Sequence, residues 1–585
     1  MEKRLILAVL LMSAVIMLTN VLFPAPKRPV AKTAADTTVD TTAAPAPATA
    51  SAPTAAAPAP LPVALPPQPA VPGDTVVVSS ELYRYAFSTR GAALVAAELL
   101  KYPSYTRNGP VELVPEGVHD FLAHRLAVGR DTLDLSNIAF TPSTRSLQLA
   151  PKSGEQTLRF SYAAPSGLAV ELDYTFRPDR YSVAVSGRIT GLPGGALLLT
   201  ELGPSLAPND PVDRRSEGQM AVVYRTSEGK IEREPLQKIE GRDTLGTGVT
   251  WVGVKDKYFV VAQVAGDSVP LRGAFAQHVA PLRRTLVEKG DTATVSLPRA
   301  RVVTALPLAA DGAFAYTTYV GPQEYHQLAV VGYNLAAVTQ YSYAWLEPII
   351  RPFVAAILAV VDFFHKTVGI SYGWVLVLIG VLMRVVYWPF NARAMRSQMK
   401  NAVFAPMMKE IKEKYKDDPK KQQEEMVKLY REHGVNPISG CLPMIIPYPV
   451  LITLFFVFEN TIAFRGASFL WLPDLSLADP LYILPFLLIA SMFALQVVSM
   501  KISGADQNPQ AKMMMYVMPI VMGFIFFNLP SGLNVYYVTT NIASMPQQLL
   551  LARERKTAQE QAQRDKGALA PTPPPARNRG SRKKG

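Results

Sequence analysis

Residues 369–390, GISYGWVLVLIGVLMRVVYWPF, are long and apolar enough to cross a bilayer, yet they carry one full positive charge, Arg384, and no acidic residue. A charged side chain near mid-membrane costs roughly 2.5–3.5 kcal/mol on insertion scales, so it reads as a functional group facing a bundle interior or a water-filled cavity. Any fold for this chain has to supply that cavity and give the cation something to do.

Composition fits a membrane protein: hydrophobic residues make up 49% of the 585 and charged residues only 18%. The formal charge of +13 suits anionic lipid or nucleic acid. A single cysteine, Cys441, rules out an intrachain disulfide or a cysteine-rich metal cluster.

Residues 1–23 open with Lys3 and Arg4 and then run apolar for about 19 residues, longer than the ~7–15 of a signal-peptide core. Pro24 and Pro26 crowd the small-residue cleavage site near Ala25, so we read a retained signal-anchor with its N-terminus inside. Residues 24–73 are Ala, Pro and Thr with few large apolar side chains. They cannot bury enough surface to fold and read as an extended, partly polyproline tether.

From 74 to about 325 the pattern changes to short alternating runs, such as LAVELDYTFRPDRYSVAVSGRI and TWVGVKDKYFVVAQVA, punctuated by Gly, Pro, Asn and Asp. This predicts an antiparallel β-sandwich. His119, His124, His278 and His326 are scattered and no carboxylate pair stands out, so a binding or structural role is favoured over an enzyme. Residues 341–368 are helical in pattern but interrupted by charges, and Pro348 and Pro352 should confine the regular helix to the residues after them. They read as an amphipathic helix on the outer membrane face.

After Phe390, residues 391–434 predict a basic helical hairpin broken at Asp417–Pro419, a solvated pair of helices or a projecting docking arm. Four hydrophobic segments come next: 441–464, 481–500, 513–529 and 533–551. With 1–23 and 369–390 they predict six transmembrane helices. Lys and Arg collect in the hairpin, in 501–512 and in the tail 552–585, while the short loops 465–480 and 530–532 carry almost none. That bias puts both termini inside and the β-domain outside. The expected fold is a polytopic α-helical membrane protein with a large extracytoplasmic β-sandwich.

No histidine lies in a span, which disfavours a membrane zinc site or a His proton relay. No Walker-type or dinucleotide glycine motif is present, and no cofactor is expected. Ser531 has no evident general base, so an intramembrane serine protease is disfavoured. The last span holds Asn534, Tyr536, Tyr537, Thr539, Thr540, Asn541, Ser544, Gln547 and Gln548, and the third holds Thr453, Glu459, Asn460 and Thr461. With Arg384 these predict a hydrated, amphipathic cavity. Glu459 is a candidate partner for Arg384, although it lies nearer the other face. Residues 513–529 cover only about 25 Å at ~1.5 Å per residue, against a ~30 Å hydrocarbon core. A short span of this kind can thin the bilayer locally.

The stretches GWVLVLIGVLMRVVYWPF, EHGVNPISGCLPMIIPYPV, FLWLPDLSLADPLYILP and FNLPSGLNVYYVTTNIASMPQQLL resemble, in order, the YidC family of membrane protein insertases, relatives of the mitochondrial Oxa and chloroplast Albino proteins. STRGAAL, KDKYFVV and YVGPQEY are similar to the periplasmic domain of its Gram-negative members. The resemblance implies a five-helix insertase core in the bacterial inner membrane that inserts and helps fold membrane proteins. It places the groove arginine on Arg384 and the substrate-contact tyrosine on Tyr537; the polar residues of the spans read above add Tyr536, Asn534, Thr540, Asn541 and Thr453 as further groove candidates. Implied partners are nascent membrane proteins, the lipid bilayer, the Sec translocon, the ribosome through hairpin and basic tail, and the signal recognition particle and its receptor. The family's groove threonine falls near Gly380 and the glutamine of its third span on Pro447. The competing reading is a transporter of an anionic solute bound by Arg384.

Overall fold

The computed structural model describes residues 73–211, 218–288, 291–342, 346–402, 405–416, 418–432, 448–503 and 509–568. The expected anchor at 1–23, nearly all of the tether 24–73, residues 441–447 and the tail beyond 568 lie outside the described residues.

Period-two alternation builds the first half. In Ala169–Phe176 every second side chain (Val170, Leu172, Tyr174, Phe176) is buried, as a half-buried strand requires. Phe259–Val264 is buried along its whole length, as expected of a central strand covered on both faces. The strands form one five-stranded and one fourteen-stranded sheet. Pairing is antiparallel except for Thr75–Ser79, which runs parallel to Ser146–Gln148 at the edge of the smaller sheet. Phe87 packs against Phe160, Tyr174 and Phe176 at centroid distances of 6.3, 4.9 and 5.9 Å, joining both sheets in one core.

A short helix α1 (Tyr325–Val331) comes after the last strand. The next helix, α2 (Glu347–Asp362), begins before the two prolines. Pro348 is tolerated in the first turn, where its missing N–H would have no partner, and Pro352 is accommodated inside the helix. A π-type turn Phe363–Thr367 and Gly369, at φ +82°, separate α2 from α3 (Tyr372–Ala402). Helix α3 runs unbroken past Phe390, so the span and the first hairpin arm share one helix, succeeded by α4 (Ala405–Lys414) and α5 (Pro419–Glu432).

The remaining helices are α6 (Tyr448–Asn460), α7 (Ile483–Ser503), α8 (Pro509–Phe526) and α9 (Ser531–Ala568). Among the described residues, Tyr372–Arg393 and Ile483–Met500 are long and apolar enough to cross a membrane. Helix α9 packs against α3, α7 and α6, and α2 packs on α6.

Candidate substrate groove

Helices α3 and α9 run side by side in the same direction. A Cβ built on Gly532 would sit 3.2 Å from Leu376, and one on Gly380 would sit 3.1 Å from Thr539 Cγ2 and 3.4 Å from Thr540 Oγ1. Further along, Gln547 donates to the Trp388 carbonyl at 2.9 Å and accepts from Asn391 at 3.2 Å. Gly380 therefore allows close helix approach where a larger residue would hold the helices apart.

Arg384 sits one turn beyond Gly380 and is half-buried, whereas its neighbours Val381, Leu382, Val385 and Val386 are exposed. Its Nε is buried without a hydrogen-bond partner, and no carboxylate pairs with it among the described residues. Tyr536 lies within electrostatic reach of the guanidinium. Tyr536 is itself buried against Phe458 of α6 and edge-on to Tyr537, at 6.1 and 5.6 Å between centroids. Thr453, also buried, belongs to the same helix, α6.

The other candidate residues lie elsewhere around α9. Tyr537 stacks edge-on against Phe526 at 4.9 Å, and Asn534 donates to the Phe526 carbonyl at 3.2 Å, leaving its Oδ1 buried without a partner. Asn541 faces α7, donating to Ser491 Oγ at 3.0 Å. The hydroxyls of Thr539, Thr540 and Ser544 donate to carbonyls one turn back in their own helix, at 2.8, 2.8 and 2.6 Å. That bonding lets a hydroxyl sit among apolar helices at little cost. Ser531 Oγ donates to the Asp474 backbone carbonyl at 3.0 Å.

Glu459 is held by Lys257 of the β-domain at 3.5 Å. Lys257 and Arg465 were not singled out as site residues in the sequence, and Gln547 entered only as one of the polar residues of the last hydrophobic segment; Arg465 left a trace as the one cation of the otherwise Lys- and Arg-free loop 465–480. No group of three or more potential metal ligands occurs among the described residues.

A half-buried cation with no carboxylate partner among the described residues, on a helix long and apolar enough to cross a membrane, in a chain that also carries a folded β-domain, fits the class of helical membrane proteins with a polar site on a span. Residues 363–559 match the family model of the 60Kd inner membrane protein, and residues 75–356 match that of the YidC periplasmic domain. A membrane protein insertase YidC of Citrifermentans bemidjiense is 32% identical over 563 residues, covering 94% of this chain and 99% of that one. One from Syntrophus aciditrophicus is 28% identical over 572 residues, covering 95% and 100%, and one from Bordetella pertussis 31% over 515, covering 84% and 85%. The chain belongs to the YidC family of membrane protein insertases, which are inner-membrane proteins and not a class of enzymes. It is a membrane protein insertase, and its substrates are membrane proteins.

Proposed function

We propose that Arg384 supplies the positive charge of a groove open to the cytoplasm and the lipid. The groove draws in the acidic extracytoplasmic end of an incoming segment. The observation that carries this reading is the half-buried guanidinium with no resident carboxylate among the described residues. Two unit charges at ~4 Å attract by about 1 kcal/mol in bulk water and about 4 kcal/mol near a protein surface. An unpaired cation can therefore hold a substrate carboxylate transiently. The apolar part of the substrate then moves past Tyr536 and Tyr537 into lipid, with Asn534, Thr540, Asn541 and Thr453 as further groove residues.

In this reading the chain crosses the inner membrane six times, at 1–23, 369–390, 441–464, 481–500, 513–529 and 533–551. Both termini are cytoplasmic, and residues 24–73 tether a periplasmic β-domain over 74–325. Residues 341–368 lie on the outer face. The hairpin 391–434 and the tail 552–585 recruit ribosomes, where tail cations meet rRNA phosphates with salt-sensitive affinity. The Sec translocon and the signal recognition particle with its receptor cooperate on part of the substrate set.

The test is insertion of several one- and two-span substrates with acidic outer segments in a depletion strain. Arg384→Ala should slow insertion about fivefold or more, and Arg384→Lys should retain most of it, since a lysine keeps the attraction. Normal insertion of every substrate by Arg384→Ala would sink the charge-attraction mechanism.

A further inference from the structure

The outer loop between α6 and α7 holds a cation that does not face the membrane. Arg465 is 1% exposed at its side chain and reaches into the β-domain. Its Nε donates to Asp210 Oδ1 at 2.7 Å and its Nη1 to the Pro103 carbonyl at 2.8 Å. The guanidinium lies over the Tyr105 ring at 4.2 Å and near the Phe259 ring at 5.6 Å. A planar cation bonded in its plane and stacked on its face is held in one orientation.

The contact is reciprocal. Tyr105 donates its hydroxyl to Asp474 Oδ2 in the same loop at 2.6 Å, and Lys257 reaches down to Glu459 at 3.5 Å. Asn460 donates to the Gln340 carbonyl at 2.8 Å.

The same loop also caps α9. Ser531 N–H donates to Leu477 O at 2.7 Å and Gly532 N–H to Leu475 O at 2.9 Å, while Ser531 Oγ donates to Asp474 O. The first amides of a helix need outside acceptors, and here the loop supplies them. Asp474 thus accepts from the β-domain with its side chain and from α9 with its carbonyl.

We propose that Tyr105, Asp210 and Arg465 are positioning residues for the groove, fixing the outer end of α9, and with it Tyr536 and Tyr537, through the loop that α9 is capped on. This rests on the groove reading above, but the docking itself can be tested without it.

The experiment uses the full chain in nanodiscs. p-Benzoylphenylalanine in place of Tyr105 should photo-crosslink to residues 465–476, mapped by mass spectrometry. In Arg465→Met and Asp210→Asn, the amides of Ser531 and Gly532 should exchange hydrogen at least about tenfold faster, because breaking a buried charge pair leaves an uncompensated ion. Arg465→Lys, which keeps the charge but loses the stacked fork, should fall between. Peptides covering Phe259–Val264 should exchange as in the parent, separating lost positioning from an unfolded β-domain. Failure of the Tyr105 crosslink, or unchanged α9 exchange in both variants, overturns the proposal. With the crosslink and exchange as expected, absence of nascent-chain crosslinks from Tyr537 in the parent protein overturns the groove reading alone.

Discussion

Glu459, near the C-terminal end of α6, is paired with Lys257 of the β-domain at 3.5 Å, with side-chain exposures of 7% and 13%. The one membrane-half carboxylate considered for Arg384 is thus taken by another domain. Lys257→Met should destabilise the protein by roughly 3–5 kcal/mol, because it strands a buried carboxylate. Adding Glu459→Gln should recover most of the loss. Thermal unfolding in detergent, single against double variant, is the measurement; equal melting temperatures for Lys257→Met and the parent would contradict it.

Gly380 lets α3 approach α9 at Thr539. Gly380→Val should push the helices apart and cost on the order of 1–3 kcal/mol by overpacking. Thr539→Ser removes the methyl 3.1 Å from the new side chain but leaves the Thr539 Cβ at 3.2 Å, so Gly380→Ala with Thr539→Ser should cost less than Gly380→Ala alone without reaching neutrality. Insertion rate and melting temperature should move together across this series.

Gln547 bridges α9 to Trp388 O and Asn391 Nδ2. Gln547→Leu should cost about 1–3 kcal/mol, since it leaves Asn391 Nδ2 without its acceptor in a partly buried site. Amide exchange across 388–402 should accelerate while 372–384 stays protected. Uniform acceleration along α3 would refute a local bracket.

His124 lies fully buried in the β-domain with Nε2 2.7 Å from the Tyr316 hydroxyl, and burial lowers its pKa from 6.5 to about 4. The unfolded chain therefore binds a proton that the folded one refuses between these values. Stability should fall as pH drops through that window, by about 3 kcal/mol at 1.36 kcal/mol per unit. Glu201, pushed up to about 7 by burial and then by Asp120, acts in the opposite sense, favouring the fold below 4.5 and losing that effect as pH rises through 7. The check is the difference between parent and His124→Gln melting curves from pH 7 to 4. Whatever its value at neutral pH, that difference should move in favour of the variant as pH falls from 7 to 4.

Part of this architecture is dictated by neighbouring residues alone. Alternation over Ala169–Phe176 makes a strand, and largely apolar composition makes Tyr372–Arg393 and Ile483–Met500 long enough to cross a membrane. The lone charge of Arg384 is legible for the same reason, because a span is read within one window. The extension of α3 to Ala402 is not, because polarity changes at Asn391 while the backbone stays helical. Which polar groups meet is set by three-dimensional packing. Asn391 and Gln547 are 156 residues apart, Asp210 and Arg465 255, and Tyr105 and Asp474 369. No periodicity links such positions. Each pair forms because the packing of α9 on α3, or of the 465–480 loop on the β-domain, brings both partners out of water together, and a buried polar or charged group without its partner costs more than the chain entropy of holding the pair.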